Sequence, residues 1–368
     1  MKLKEIAIGY IDIPLVTPFK TALRTVNSVN DLIVKVTAED GTEGYGEAPP
    51  TAVITGDTKE SIEAAIRYYI APTIKGMDLE DLPAIMQKLE KCLAKNTTAK
   101  AAVDIALYDL YAKLQKKPLF RLLGEKEPEL VKTKLETDLT ISVNETEEMV
   151  RDSLLAVEKG FHVLKVKVGK GGAKDVERIR EIRNAVGKDI VIRVDANQGW
   201  TREEAVSTIT AMEDAGLGIE LVEQPVSYHD FKGMQYVTAQ VETPILADES
   251  VFSYEDAVRL MEEKGADLIN IKIMKTGGIH EAVRICDAAD QFGVKCMIGC
   301  MLESKVSVSA GVHLAAARSC VTMADLDGPS LCRIDPYEGG PVYEGPHIFL
   351  KEDNGIGITG VPVKFETI

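Results

Sequence analysis

From about residue 130 onward the chain repeats at a spacing that few folds can use. Short apolar runs end at Thr140, Lys167, Asp195, Glu223, Asp248, Lys272, Gly299 and Asp325, so successive ends lie 24 to 28 residues apart. Each interval holds one amphipathic stretch, for example Lys174 to Val186, Arg202 to Ala215 and Ile279 to Phe292. Eight strands alternating with helices at a near-constant period are what a closed parallel barrel requires. An open doubly wound sheet also alternates, but no G-x-G-x-x-G follows the first strand.

The first third has another texture. Residues 3 to 14 and 32 to 37 are β-branched and extended, and Glu39-Asp40-Gly41 reads as a hairpin turn into a strand ending at Gly46. Helical stretches follow at Thr58 to Lys75, Glu80 to Lys95 and Thr98 to Lys116. The last shows an apolar face at Ala102, Ile105, Ala106, Tyr108, Leu110 and Tyr111. A sheet followed by a helical hairpin predicts a separate α+β domain over residues 1–125, with the barrel over 126–327. Residues 328–368, rich in Gly and Pro, are expected to leave the barrel and return to the first domain.

Composition narrows the function classes. With 43 basic against 58 acidic residues the formal charge is −15, which argues against nucleic acid and anionic membranes as partners. Six cysteines show no C-x-x-C pair, and Cys296 and Cys300 lack a second pair for zinc. Residues 1–6 carry charge where a secretory signal would be apolar. The expectation is a reduced, cytoplasmic protein.

Catalytic residues of a parallel barrel sit at the C-terminal ends of its strands, which converge on one mouth. Three consecutive ends here are carboxylates: Asp195 in VDANQGW, Glu223 in VEQP and Asp248 in ADES. Three acids in one mouth repel one another and call for a divalent cation. All-oxygen ligands favour Mg²⁺ or Mn²⁺ over zinc.

Cations flank the acids. Lys165 and Lys167 in LKVKVG are two apart on the second strand and share a face. Two ammonium groups held together should lower at least one pKa, giving a general base near neutrality. Lys272, between Ile271 and Ile273 on the sixth strand, faces them across a closed eight-stranded barrel. Lys275 reads as a solvated loop lysine. On the eighth strand, Asp325-Leu326-Asp327 places two carboxylates at the mouth, suited to a cationic group on a ligand.

Together KVKVG, VDANQGW, VEQP, ADES and IKIMKTGG closely resemble the enolase superfamily, in its muconate-lactonizing-like branch with a Lys-x-Lys motif. The resemblance spans essentially the whole chain. It implies an α/β fold: a (β/α)7β TIM-like barrel with an α+β N-terminal capping domain completed by the C-terminal segment. It further implies that Asp195, Glu223 and Asp248 bind one Mg²⁺ per subunit, with Mn²⁺ as a substitute. Lys167 and Lys272 would then be the acid/base pair, with Lys165 supporting charge near a substrate carboxylate. Members of the superfamily are often symmetric homo-oligomers, which is the expectation here.

The Asp325-x-Asp327 element looks like the one dipeptide epimerases use to hold the α-ammonium of a dipeptide. The resemblance therefore implies an isomerase that inverts the Cα of the C-terminal residue of an L,L-dipeptide by two-base proton transfer. Thr140 and Cys300 would line the same pocket. The family's mobile loops correspond to Thr17–Asn27 and Thr51–Asp57. Arg24 in the first resembles the arginine that meets the side-chain carboxylate in Ala-Glu epimerases, whereas Ile54 in the second would suit an apolar side chain. Other Lys-x-Lys reactions stay open: N-acylamino-acid racemisation, o-succinylbenzoate synthesis or cycloisomerisation. So does a non-catalytic metal-binding or ligand-sensing protein. Gly169 to Gly172 could cradle phosphate only weakly, and Trp200 is expected to pack its loop.

Overall fold

The computed structural model describes residues 1–21, 24–169 and 171–368. Strands Leu3–Lys20, Thr25–Ala38 and Glu43–Ala48 form an antiparallel sheet, and the terminal strand Glu366–Thr367 pairs with the edge of Leu3–Lys20. Helices follow at Lys59–Ala65, Leu82–Lys91 and Thr97–Leu114. A capping box starts the first, Thr58 accepting the Ser61 N–H while Ser61 accepts that of Thr58. Gly44 and Gly46 let Thr97–Leu114 press against the sheet. A Cβ at either would collide with the carbonyl of Ala106 or Ala102.

That helix is not one-sided as its sequence suggested. Ala102, Val103, Ala106, Leu107 and Leu110 join the core of the first domain, while Ala101, Ile105 and Ala112 join the core shared with the barrel. It lies between two bodies, so both its faces are buried.

The barrel strands are Leu139–Ile141, Val163–Lys167, Val191–Asp195, Ile219–Glu223, Ile245–Ala247, Leu268–Lys272, Lys295–Gly299 and Val321–Asp325, parallel and in sequential order. Helices including Thr146–Glu158, Gly172–Val186, Arg202–Asp214, Ile279–Phe292 and Lys305–Ala317 cover them. Closure is not by a full ladder. Between the first and eighth strands the Asp138 N–H reaches the Ala324 carbonyl at 3.2 Å, and the Leu326 N–H reaches Thr137 Oγ1 at 2.8 Å. The Thr140 N–H, which a ladder would use, is taken by Asp327 Oδ2 at 2.7 Å. The barrel is therefore near-closed, with a functional candidate in its seam.

Buried carboxylates dock the first domain on the barrel. Asp104 accepts the N–H groups of Ile279, at 2.6 Å, and His280, at 3.3 Å, at the start of helix Ile279–Phe292. Glu47 accepts those of Ser304 and Ser307, both at 2.9 Å, at the start of Lys305–Ala317. Each satisfies orphan helix donors with carboxyl oxygens at the positive end of a helix dipole. Asp109 takes the Ile356 N–H at 2.8 Å, holding the C-terminal segment. No helix among the described residues is long and apolar enough to cross a membrane.

Candidate active site

The strand ends bring the expected acids together. Asp195 and Glu223 are register partners on adjacent strands, as are Lys167 and Asp195, and Asp248 directly follows the fifth strand. Above them a cleft is lined by Lys167, Lys272, Asp248, Thr140, Cys300, Asp325 and Asp327. Arg24, Phe19, Val53, Ile54, Met301 and Leu302 form its capping-domain side and far wall. Lys165, Asp195 and Glu223 lie beneath, each almost fully buried.

Every acid at the floor is met by an ammonium group. Lys165 Nζ lies 2.6 Å from Asp325 Oδ2, 2.8 Å from Glu223 Oε2 and 3.2 Å from Asp195 Oδ2. Lys167 Nζ is 2.6 Å from Asp195 Oδ2, and Lys272 Nζ is 2.7 Å from Asp248 Oδ2. These contacts overturn one expectation. Burial alone would lower the Lys165 pKa, but Asp325, Glu223 and Asp195 outweigh it and push it well above the usual lysine value. The nearby carboxylates, not the second lysine, set the sign. Burial would likewise raise Asp325, yet Lys165, Lys272 and Lys167 hold it at about 2. Asp327, buried beside Asp325, is pushed up to about 6.

Lys275 is also corrected. It is fully buried, with Nζ 2.6 Å from Asp248 Oδ1 and 3.0 Å from the Asn270 carbonyl. The chain coils into a short helix, Ile273–Thr276, directly after the strand, which turns this lysine back beneath the site. The first loop has regular pairing at its base. Phe19 pairs with Val26 and Lys20 with Thr25, so strand pairing continues into the Thr17–Asn27 segment. Ala22 and Leu23 within it lie outside the described residues, as does Lys170 of the Gly169–Gly172 segment. The Gly169 N–H is bound by Asp175 Oδ2 at 3.0 Å, and the same oxygen accepts from Trp200 Nε1 at 3.1 Å. The indole thus packs its loop.

Several site residues escaped the sequence reading. Asn270 donates to Glu223 Oε1 at 2.9 Å, and Gln224 accepts the Asp248 and Ser250 N–H groups, holding the strand ends in place. Arg193 binds Asp138 at 2.9 Å beneath the mouth. Its place two residues before Asp195 on one strand was a usable signal. Glu249, beside Asp248, is buried against the cavity with neither oxygen hydrogen-bonded.

The chemistry of the donor set suits a divalent cation, although lysines stand between the acids and no three ligands among the described residues are gathered to hold an ion in this structure. Asp195, Glu223, Asp248, Glu249, Asp325 and Asp327 supply six carboxyl groups against the four ammonium groups of Lys165, Lys167, Lys272 and Lys275. Glu223 Oε2 and Asp248 Oδ1 accept no hydrogen bond and are met only by lysine charge. Unmatched buried carboxylate oxygens with no imidazole or thiolate among them suit a hard ion.

Acids on strands three to five set against lysines on strands two and six, under an α+β cap, define an enzyme of the enolase type. The chain belongs to that family: residues 6–124 match the mandelate racemase / muconate lactonizing enzyme N-terminal domain, and residues 148–361 match the enolase C-terminal domain-like family. An L-Ala-D/L-Glu epimerase of Clostridium acetobutylicum is 53% identical over 361 residues, 98% of this chain and 99% of that protein. The substrate-liganded L-Ala-D/L-Glu epimerase of Bacillus subtilis superposes with a TM-score of 0.95 at 46% identity, covering 98% of this chain and 99% of that one. A dipeptide epimerase of Enterococcus faecalis, complexed with Mg and L-Leu-L-Tyr, gives 0.93 at 41% identity, covering 98% and 100%.

Proposed function

We propose that this protein is a Mg²⁺-dependent dipeptide epimerase that inverts the Cα of the C-terminal residue of an Ala-Glu-like dipeptide. It is an isomerase of the epimerase type. The observation that carries the reading is the placement of Lys167 and Lys272 on strands two and six, opposite walls of one cavity that also holds Asp325 and Asp327.

Asp195, Glu223 and Asp248 would hold the Mg²⁺, which when bound neutralises charge that develops on the substrate carboxylate. With Asp195 and Asp248 engaged as ligands, Lys167 and Lys272 lose their present partners and become available to exchange protons. One lysine takes the α-proton, and the other returns a proton to the opposite face. Lys165, beneath the carboxylates, adds fixed positive charge where negative charge grows. Asp325 and Asp327 receive the N-terminal ammonium and set the position of the α-carbon between the lysines. Thr140 fixes Asp327 through its backbone N–H, and Cys300 fills the adjacent wall.

Arg24 favours an acidic C-terminal side chain. It borders the cavity beside Phe19 and Ile54, and no ion pair joins it to a carboxylate among the described residues. The test is incubation in D₂O with Mg²⁺ and pooled L,L-dipeptides, followed by mass spectrometry. A one-deuteron gain at Cα, greatest for L-Ala-L-Glu, is the expected result. No gain with any dipeptide, but gain with N-acylated amino acids, would move the assignment to another reaction of this scaffold.

A further inference from the structure

Behind Arg24, where the capping sheet meets the loop after the seventh barrel strand, three carboxyl groups converge away from the metal ligands. Asp31 and Glu47 sit on neighbouring strands; Glu47 pairs in register with Ile33, two residues from Asp31, so both point to one face. Glu303 arrives from the barrel. All three are essentially buried.

Their donors are unequally shared. Glu47 accepts the Ser304 and Ser307 N–H groups, both at 2.9 Å, and lies 3.1 Å from Ser307 Oγ. Glu303 accepts the Met301 N–H at 2.6 Å and lies 2.5 Å from the same Ser307 hydroxyl. Asp31 Oδ2 finds no donor at all. A buried carboxylate oxygen without a donor is costly, and the Asp31 carboxyl has the Glu47 carboxyl as its neighbour. A proton on Asp31, donated to Glu47, resolves both problems.

We propose that Asp31 is held protonated by Glu47, and that this keeps Arg24 uncompensated and available to a carboxylate on the substrate side chain. An ionised Asp31 would instead become the counter-ion of Arg24 and cancel the charge the cavity presents. Asp31 and Glu47 are thus positioning residues for charge specificity; the inference rests on the dipeptide reading given above.

The electrostatics agree. Burial, then the charge and hydrogen bond of Glu47, then Glu303 push the Asp31 carboxyl well above its usual value, against the opposing charge of Arg24. The other titratable groups facing the cluster are Tyr337, whose hydroxyl lies 2.5 Å from Ser304 Oγ, Cys332, and Lys272 of the sixth barrel strand, whose charge reaches Glu303. Glu303 itself is pushed up to about 7 by burial.

The experiment compares L-Ala-L-Glu with the uncharged L-Ala-L-Gln on the full-length, Mg²⁺-loaded enzyme. Glu47→Gln, which offers Asp31 an amide donor in place of an anionic acceptor, should raise KM for L-Ala-L-Glu about tenfold relative to L-Ala-L-Gln. Asp31→Asn should retain the wild-type preference, and Asp31→Asn combined with Glu47→Gln should restore it, because an amide cannot ionise. Equal losses on both dipeptides in Glu47→Gln, or a lost preference in Asp31→Asn, would overturn the proposal. A second readout needs no substrate: among the infrared C=O bands of protonated carboxylic acids at neutral pH, to which Glu303 also contributes, one component should be missing in Asp31→Asn. Unchanged bands overturn the protonation even if the dipeptides react. A lost band without dipeptide turnover leaves Asp31 protonated and faults the dipeptide reading instead.

Discussion

The barrel mouth and the interface beneath the capping domain both bury many carboxylates, and they treat them in opposite ways. At the mouth Asp195, Glu223, Asp248 and Asp325 face lysine ammonium groups. At the interface Asp104, Asp109 and Glu47 are satisfied largely by backbone N–H groups of the element they dock. Side-chain cations can be displaced by a metal ion or a substrate. Backbone donors cannot leave without unwinding a helix. The molecule thus keeps exchangeable charge where chemistry needs it and fixed dipoles where one body must stay seated on another. Unpartnered carboxylate oxygens occur in both regions, on Glu223, Asp248 and Glu249 at the mouth and on Asp31 at the interface.

That contrast can be broken or sharpened by experiment. The largest effect should follow chelation: EDTA treatment is expected to abolish Cα deuteration, and added Mg²⁺ to restore it. Persistent exchange in the chelated enzyme would mean the lysines alone suffice. Replacing Lys272 with Met, or Lys167 with Met, should reduce epimerisation by about 10³-fold or more, within the range that general acid–base groups supply. Each variant should still be followed by single-turnover exchange from one enantiomer, because a two-base site loses exchange on one face before the other. Symmetric loss from both enantiomers would argue for a single base.

At the interface the effects should be on stability. Asp104→Ala leaves two helix donors without a partner and should cost about 2 kcal/mol, measured by denaturant unfolding, with KM and kcat little changed. A fall in kcat as large as that of the lysine variants would erase the distinction between the regions.

An effect of similar size, confined to acidic pH, concerns His313, on helix Lys305–Ala317. Its Nδ1 accepts the Phe120 N–H at 3.0 Å, and burial lowers its pKa to about 3. The folded state therefore resists protonation while the unfolded chain, near 6.5, accepts it. Its contribution to stability is present above about pH 6.5 and is lost as pH falls toward 3. At pH 5 the penalty is about 2 kcal/mol relative to neutrality. His313→Gln should flatten that part of the stability profile; an unaltered slope between pH 5 and 7 would show that another group governs it.

Much of this site was legible in the chain because its period is so regular. The eight positions chosen from apolar runs fall on or directly beside barrel strand ends, from Thr140 to Asp325. Strand direction then placed Asp195, Glu223, Lys167 and Lys272 at one mouth without reference to any contact. Lys275 was misread because it lies past a strand end, where alternation no longer says which way a side chain turns. Glu249 was missed for the same reason. The pairing of Phe19 with Val26 and Lys20 with Thr25 hid because their sequence carries no strong alternation, and register there comes from the neighbouring strand.

Periodicity and residue type by themselves determined the barrel, its charged mouth and the separate N-terminal domain, since burial of apolar surface obeys a pattern local to each element. Tertiary structure alone decided the rest. It decided that Lys165 is more basic than usual and that Asp327 holds the seam. It also placed Glu47 and Asp104 at the ends of helices far away in the chain. Those outcomes depend on which charges and backbone donors meet at distances under about 4 Å, where Coulomb interaction is strongest, and no spacing along a sequence states that.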